Sequence, residues 1–103
     1  VVVNQGTNDS GMPADQFAGL YARYLTMIRQ AYPLAKIAAV RPFCGAQEAS
    51  IKQVVDDRRS KGDTQVFYID TTGWYSGPLH PNAAASKKIA ANLAIALQNG
   101  PLK

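Results

Sequence analysis

The sequence predicts an α/β fold built on a parallel sheet. Short β-prone apolar runs alternate with amphipathic stretches of helical period, in the order β-α-β-α-β-α. Strands alternating with helices of this length pack as a parallel sheet covered by helices. The composition agrees: 103 residues, 47% hydrophobic and 17% charged, supply one core and fit one small domain.

The elements follow in order. Residues 1–5, Val-Val-Val-Asn-Gln, form a short strand of high β propensity. Gly6-Thr7-Asn8-Asp9-Ser10-Gly11 is loop chemistry. Pro13 suits the first turn of a helix over 13–31, whose apolar face is Phe17, Leu20, Tyr21, Tyr24, Leu25 and Ile28. Pro33 ends it. Residues 36–40 are a buried strand and 41–45 a loop. A helix over 46–60 turns Ile51, Val54 and Val55 inward, with Gly62 at its C-terminal cap. Residues 64–69, Thr-Gln-Val-Phe-Tyr-Ile, are the third strand, and 70–81 a long loop. Asn82 caps a last helix over 83–98 with Ile89, Ala90, Leu93 and Leu97 inward. Right-handed crossovers place the first two helices on one face of a sequentially ordered sheet.

Charge and residue counts exclude several classes of function. No apolar run reaches the roughly 18 residues that span a bilayer, so no membrane partner is expected. The net charge is +4, but the basic residues are scattered; Arg58, Arg59 and Lys61 cluster among Asp56, Asp57 and Asp63. That mixture reads as solvated helix surface, and a nucleic-acid face needs a denser basic stripe. Cys44 is the only cysteine, so no disulfide forms within the chain. One Cys and one His fall short of a zinc site. No metal or organic cofactor is implied, and Gly6 and Gly11 lack the Gly-x-Gly-x-x-Gly spacing of a dinucleotide loop.

Ligands of an open parallel sheet bind at the carboxyl ends of its strands, where loops 6–12, 41–45 and 70–81 converge. His80, the only histidine, is the natural general base, or else a surface residue. The amide of Asn8 can donate to a developing oxyanion, or the Gly6–Asp9 block is a plain turn. Trp74 and Tyr75 offer faces for stacking on a sugar, or Trp74 packs the loop onto the sheet. Arg41 and Phe43 lie on the middle loop, where they can wall a pocket. Asp70 is either an orienting acid or a loop brace.

The block Gly6-Thr7-Asn8-Asp9 after a strand, with Leu79-His80-Pro81-Asn82 before a last helix, resembles the SGNH hydrolases, also called GDSL esterases and lipases. The segment from Tyr68 to Asn82 looks most like their extracellular carbohydrate acetyl esterase branch. The resemblance implies a three-layer αβα, flavodoxin-like parallel sheet. It implies Asn8 as an oxyanion-hole donor, His80 as catalytic base, and Asp9 as a brace of its loop. It also implies a secreted protein that deacetylates carbohydrate or other small esters, with Trp74, Tyr75 and Arg41 at the substrate.

The resemblance aligns residues 1–103 with the second half of such a domain, about three strands and three helices of a five-stranded fold. The family's Gly-Asp-Ser nucleophile block and its oxyanion glycine have no counterpart here, and Gly77 stands where the family has an Asp three residues before the His. Without a nucleophile His80 has nothing to deprotonate. Ser10 is a poor substitute, because nucleophile and oxyanion donor must face one carbonyl from different sides. The missing acid matters less, since a backbone carbonyl can hold an imidazole tautomer. The chain is therefore expected to complete its site with a partner, either the N-terminal half of the same domain or a second copy. Its first strand is expected to leave an open apolar edge. A non-catalytic carbohydrate-binding or interaction module on the same scaffold is the alternative.

Overall fold

A computed structural model describes all residues, Val1–Lys103. It contains β1 (Val2–Val3), α1 (Ala14–Ala31), β2 (Ile37–Val40), α2 (Glu48–Ser60), β3 (Val66–Ile69) and α3 (Ala83–Asn99), with a single 3-10 turn at Thr7–Asp9. The strands form one parallel sheet in the order β1-β2-β3. Val2 lies opposite Ala38, and Ile37 to Val40 lie opposite Val66 to Ile69. The chain is an α/β domain of the flavodoxin-like kind.

All four residues of β2 are buried. Alternation along the strands separates two apolar layers. Val3, Ile37, Ala39 and Val66 face Phe17, Tyr21, Leu25 and Ile28 of α1 and Ile51, Val54 and Val55 of α2. Ala38, Val40 and Ile69 face the other way, against Leu93, Ala96 and Leu97 of α3 and the ring of Trp74. The first two helices thus share a face and the third takes the opposite one, giving the three layers.

Several boundaries differ from the sequence reading, each for a local reason. β1 is shorter than 1–5 because Gly6, at φ 124°, diverts the chain. Pro13 stands one residue outside α1, where its carbonyl accepts from Phe17 at 3.0 Å. α2 begins two residues late because the Gly45 amide donates to Pro42 at 2.8 Å and Gln47 adopts a left-handed conformation. β3 begins late because Asp63 turns the chain, its carboxylate accepting from the Gln65 amide at 3.3 Å. The caps of the other ends are as expected: Gly62, at φ 107°, follows α2, and the Asn82 side chain accepts from the Ala85 amide at 2.9 Å.

Three expected core positions are exposed. Ala90 falls off the stripe that Ile89, Leu93 and Leu97 present to the sheet. Leu20 and Tyr24 project from the flank of α1 beyond β1, where the sheet stops. With Met12, Phe17 and Tyr21 they line an open apolar depression of about 340 Å³. Cys44 is exposed and free.

The two sheet edges are finished differently. At β3 the guanidinium of Arg59 donates to the carbonyls of Val66 (2.7 Å) and Thr64 (3.0 Å) and lies 5.2 Å from the centre of the Phe67 ring. At β1 the outer edge pairs with nothing, and Val1 and Val2 are each 47% exposed.

The basic cluster after α2 is not a purely solvated surface. Asp63 accepts from Arg29 at 2.9 Å and from Arg58 at 3.1 Å, and all three side chains are only 19% exposed. This bridge ties the end of α1 to the end of α2. Burial alone would raise the Asp63 carboxyl, but the two guanidinium groups overcome it and hold the group below the ordinary carboxylate value. A depressed folded value contributes stability above the unfolded pKa of about 3.9, and that contribution is lost as pH falls through the folded value. We expect Asp63→Ala to cost about 2 kcal/mol at pH 7, since it strands two half-buried guanidiniums. The cost should shrink as the wild type is acidified below about pH 4. Urea melts of both proteins from pH 7 to pH 2.5 measure the difference; a constant gap across that range refutes the assignment.

Candidate functional site

The parallel strands deliver three loops to one edge of the sheet. The first runs from β1 through Gly6 into the 3-10 turn. Gly6 is buried, and a Cβ there would sit 3.2 Å from Pro42 Cγ and 3.3 Å from Phe17 Cζ. A glycine is required on both grounds, the positive φ and the close approach. The turn then closes on itself, with the Asp9 amide donating to Gly6 and the Met12 amide to Asp9, each at 3.0 Å.

A second brace reaches the same loop from far along the chain. The Gln47 side-chain amide donates to the carbonyls of Asp9 (2.8 Å) and Met12 (2.9 Å). The carboxylate of Asp9 makes no hydrogen bond; Asp9 braces the loop through its backbone amide and carbonyl, as expected of it, and Gln47 adds to that brace. No local pattern signals Gln47, because its partners lie 35 and 38 residues away. Its left-handed φ of 58° is the one positive φ at a non-glycine residue.

Asn8 and His80 come together. They line one cleft of about 480 Å³ with Asn4, Gln5, Gly6, Thr7, Asp9, Phe43, Leu79 and Pro81. Phe43 and Leu79 are its only large apolar walls; the rest of the lining is largely amide, hydroxyl, carboxylate and imidazole. Both Asn8 and His80 are exposed to solvent. No serine lines the cleft, and Ser10 lies outside it. A larger groove of about 580 Å³ lies between α1 and α2, lined by Arg23, Asp57, Arg58 and Lys61 over Ala22 and Val54. It is away from the strand ends and holds neither imidazole nor nucleophile.

The remaining sequence-predicted site residues lie outside this cleft. Arg41 is held by Glu48, by the Pro42 carbonyl at 3.3 Å and by the Thr71 hydroxyl at 3.4 Å. Its hydrogen bond to Glu48 raises the guanidinium pKa against the opposing effect of burial. Thr71, itself buried, donates back to the Arg41 carbonyl at 2.9 Å. Arg41 therefore ties its own loop to the start of α2 and to the 70–81 loop, and Phe43 takes the place at the pocket wall. Trp74 and Tyr75 line a separate cleft of about 260 Å³ with Ser76, Ala84, Ala85 and Lys88. Trp74 also packs on the sheet, as the packing alternative has it. Asp70 accepts from the Thr72 amide (3.0 Å) and hydroxyl (2.6 Å), which lower its pKa. It braces its own loop and makes no bond to His80. No group of three or more His, Cys, Asp or Glu side chains is placed to hold a metal ion, and no helix is long and apolar enough to cross a membrane.

No family model, no curated protein and no solved structure matches the chain. The site is therefore read on its own geometry. Gly6→Ala is expected to destabilise the fold by about 1–3 kcal/mol, combining left-handed strain with overpacking against Phe17 and Pro42. Thermal melts check the stability. Chemical shifts of Asn8 and His80 should move with it; unchanged shifts and stability would show that the loop does not need this glycine.

Proposed function

We propose that this chain supplies the oxyanion donor and the general base of a serine esterase site that removes acetyl groups from carbohydrate or other small esters. The observation that carries the reading is the presence of Asn8 and His80 in one polar cleft, although 71 residues separate them and only the fold brings them together. The resemblance of the two sequence blocks to the SGNH hydrolases supports the choice of acyl transfer over other base chemistry. A secreted, extracellular setting belongs to the same resemblance.

The steps follow from the groups present. A serine from a partner segment attacks the ester carbonyl, and His80 takes the hydroxyl proton as the bond forms. The carbonyl oxygen becomes an anion, and the Asn8 amide donates to it. His80 then returns its proton to the departing alcohol, leaving an acetyl-serine. His80 takes a proton from water as the water attacks that ester, then gives it to the departing serine oxygen, so that acetate is released and both the serine and the neutral imidazole are restored. The largely polar lining of the cleft suits an alcohol rich in hydroxyls.

The test is hydrolysis of p-nitrophenyl acetate by the chain assembled with a serine-bearing segment. His80→Ala is expected to lower kcat about 10²–10⁴-fold. Asn8→Ala is expected to lower it about 10²–10³-fold with KM little changed. Full activity of His80→Ala refutes the reading.

The need for a partner has its own support. Arg59 covers the outward carbonyl of Val66 and that of Thr64 just before β3, whereas the outer edge of β1 has no such cover and adjoins the apolar depression under Leu20 and Tyr24. An edge of this kind is a template for another strand. The partner is an N-terminal segment carrying a strand or, without one, a second copy of the chain. Residues 1–103 alone are accordingly expected to self-associate, and Val2→Lys to suppress it. Sedimentation equilibrium showing a stable, cooperatively folded 11.1 kDa monomer would overturn this.

A further inference from the structure

His80 sits on the least anchored stretch of the cleft. Between the Trp74 amide, which donates to Thr71, and the Asn82 carbonyl, which accepts from Ser86, residues 75–81 make no backbone hydrogen bond to the rest of the chain or to each other. Residues 76–80 are exposed. One side-chain bond remains in the stretch: the Tyr75 hydroxyl donates to the Pro78 carbonyl. It closes the turn Tyr75-Ser76-Gly77-Pro78 immediately before Leu79 and His80. Gly77 makes that closure possible. It has φ +140°, and a Cβ on it would lie 3.1 Å from the Tyr75 hydroxyl oxygen and 3.4 Å from the ring carbon that bears it. The phenol thus packs under the turn and bonds across it, and a Cβ at position 77 would push the ring back by a few tenths of an ångström.

We propose that Tyr75 is a positioning residue for His80, a latch whose hydroxyl holds the turn that presents the imidazole to the cleft. The inference rests on the reading of His80 as the base, and it gives Tyr75 a different task from sugar stacking. It also accounts for Gly77: an aspartate at that position would have to adopt a conformation that L side chains rarely take and would press on the latch. The orientation of His80 is then set by the turn and not by a carboxylate three residues earlier.

The test compares Tyr75→Phe, Gly77→Ala and, as a control on an exposed phenol elsewhere, Tyr32→Phe. In the 103-residue chain, Tyr75→Phe should lower the backbone NMR order parameters of Gly77, Leu79 and His80 to about 0.6 or below, the range of a flexible segment. The His80 ring-proton shifts should move toward those of a free histidine, while the order parameters of β2 stay as in the wild type. Gly77→Ala should give the same pattern by displacing the turn from the ring. With the serine-bearing segment supplied, both variants should lower kcat for p-nitrophenyl acetate about fivefold or more with KM within about twofold. Tyr32→Phe should change none of these. Unchanged His80 shifts and order parameters in Tyr75→Phe overturn the proposal. So does a loosened loop with undiminished kcat in an enzyme that His80→Ala inactivates. Failure of the esterase reading shows in a separate arm, full turnover by His80→Ala, and leaves the His80 shifts and order parameters to decide the latch.

Discussion

The structure depends on β2. Its four residues are buried on both faces, and it is hydrogen-bonded on both edges. A strand so placed has no polar face to offer, which is why Ile37-Ala38-Ala39-Val40 reads as a continuous apolar run and not as an alternation. Its alternate side chains divide the core: Ile37 and Ala39 go to the two-helix layer, Ala38 and Val40 to α3. The two alanines at its centre keep both layers close to the sheet. Because β1 and β3 run parallel to it, the chain leaves all three strands at the same edge, and there the cleft arises.

Much of this was legible in the sequence. The order of elements, the helix faces at Phe17, Tyr21, Leu25, Ile51 and Val55, and the Asn82 cap follow from periodicity and capping chemistry, which are local. Pairing Asn8 with His80 needed the topology as well as the motifs, since the rule placing ligands at the strand ends puts both loops at one edge. What escaped the sequence is tertiary. Gln47 braces a loop more than thirty residues away. Arg41 looks like a ligand-facing cation, but its partners are Glu48 and Thr71, which no spacing rule connects to it. Leu20 and Tyr24 carry the period of a buried face, yet the sheet ends before reaching them.

That last mismatch and the bare edge of β1 have one origin. Helix α1 is wide enough in its apolar face to cover more sheet than three strands provide. Its outer stripe therefore overhangs β1 and lines the depression with Met12 and Phe17. On the other side α3 reaches β2 and β3 but leaves Val2 exposed. Both layers thus leave apolar side chains bare at the same flank, whereas at β3 Arg59 covers the outward carbonyl of Val66 and that of Thr64 just before the strand. It is this coincidence of a bare edge with an overhanging helix face that the proposed partner strand rests on.

The cleft itself is built from two unequal halves. The Asn8 side is fixed four times over, by the Gly6 conformation, the closed 3-10 turn and two donations from Gln47. The His80 side has a single tether. On the proposed acyl-transfer reading the difference runs in the useful direction. An oxyanion donor acts by being in place before charge develops, so any motion in it is paid for in the barrier. A general base must approach a hydroxyl, then a leaving oxygen, then a water, and a small range of positions serves it. Glycine appears in both halves for opposite ends: Gly6 lets the backbone turn into a packed and immobile corner, and Gly77 lets a short turn fold over one phenol with nothing else to hold it. The stiffness of each half is set by how many groups grip the backbone beside the glycine, and that number is larger on the Asn8 side, where the proposed reading places the developing charge.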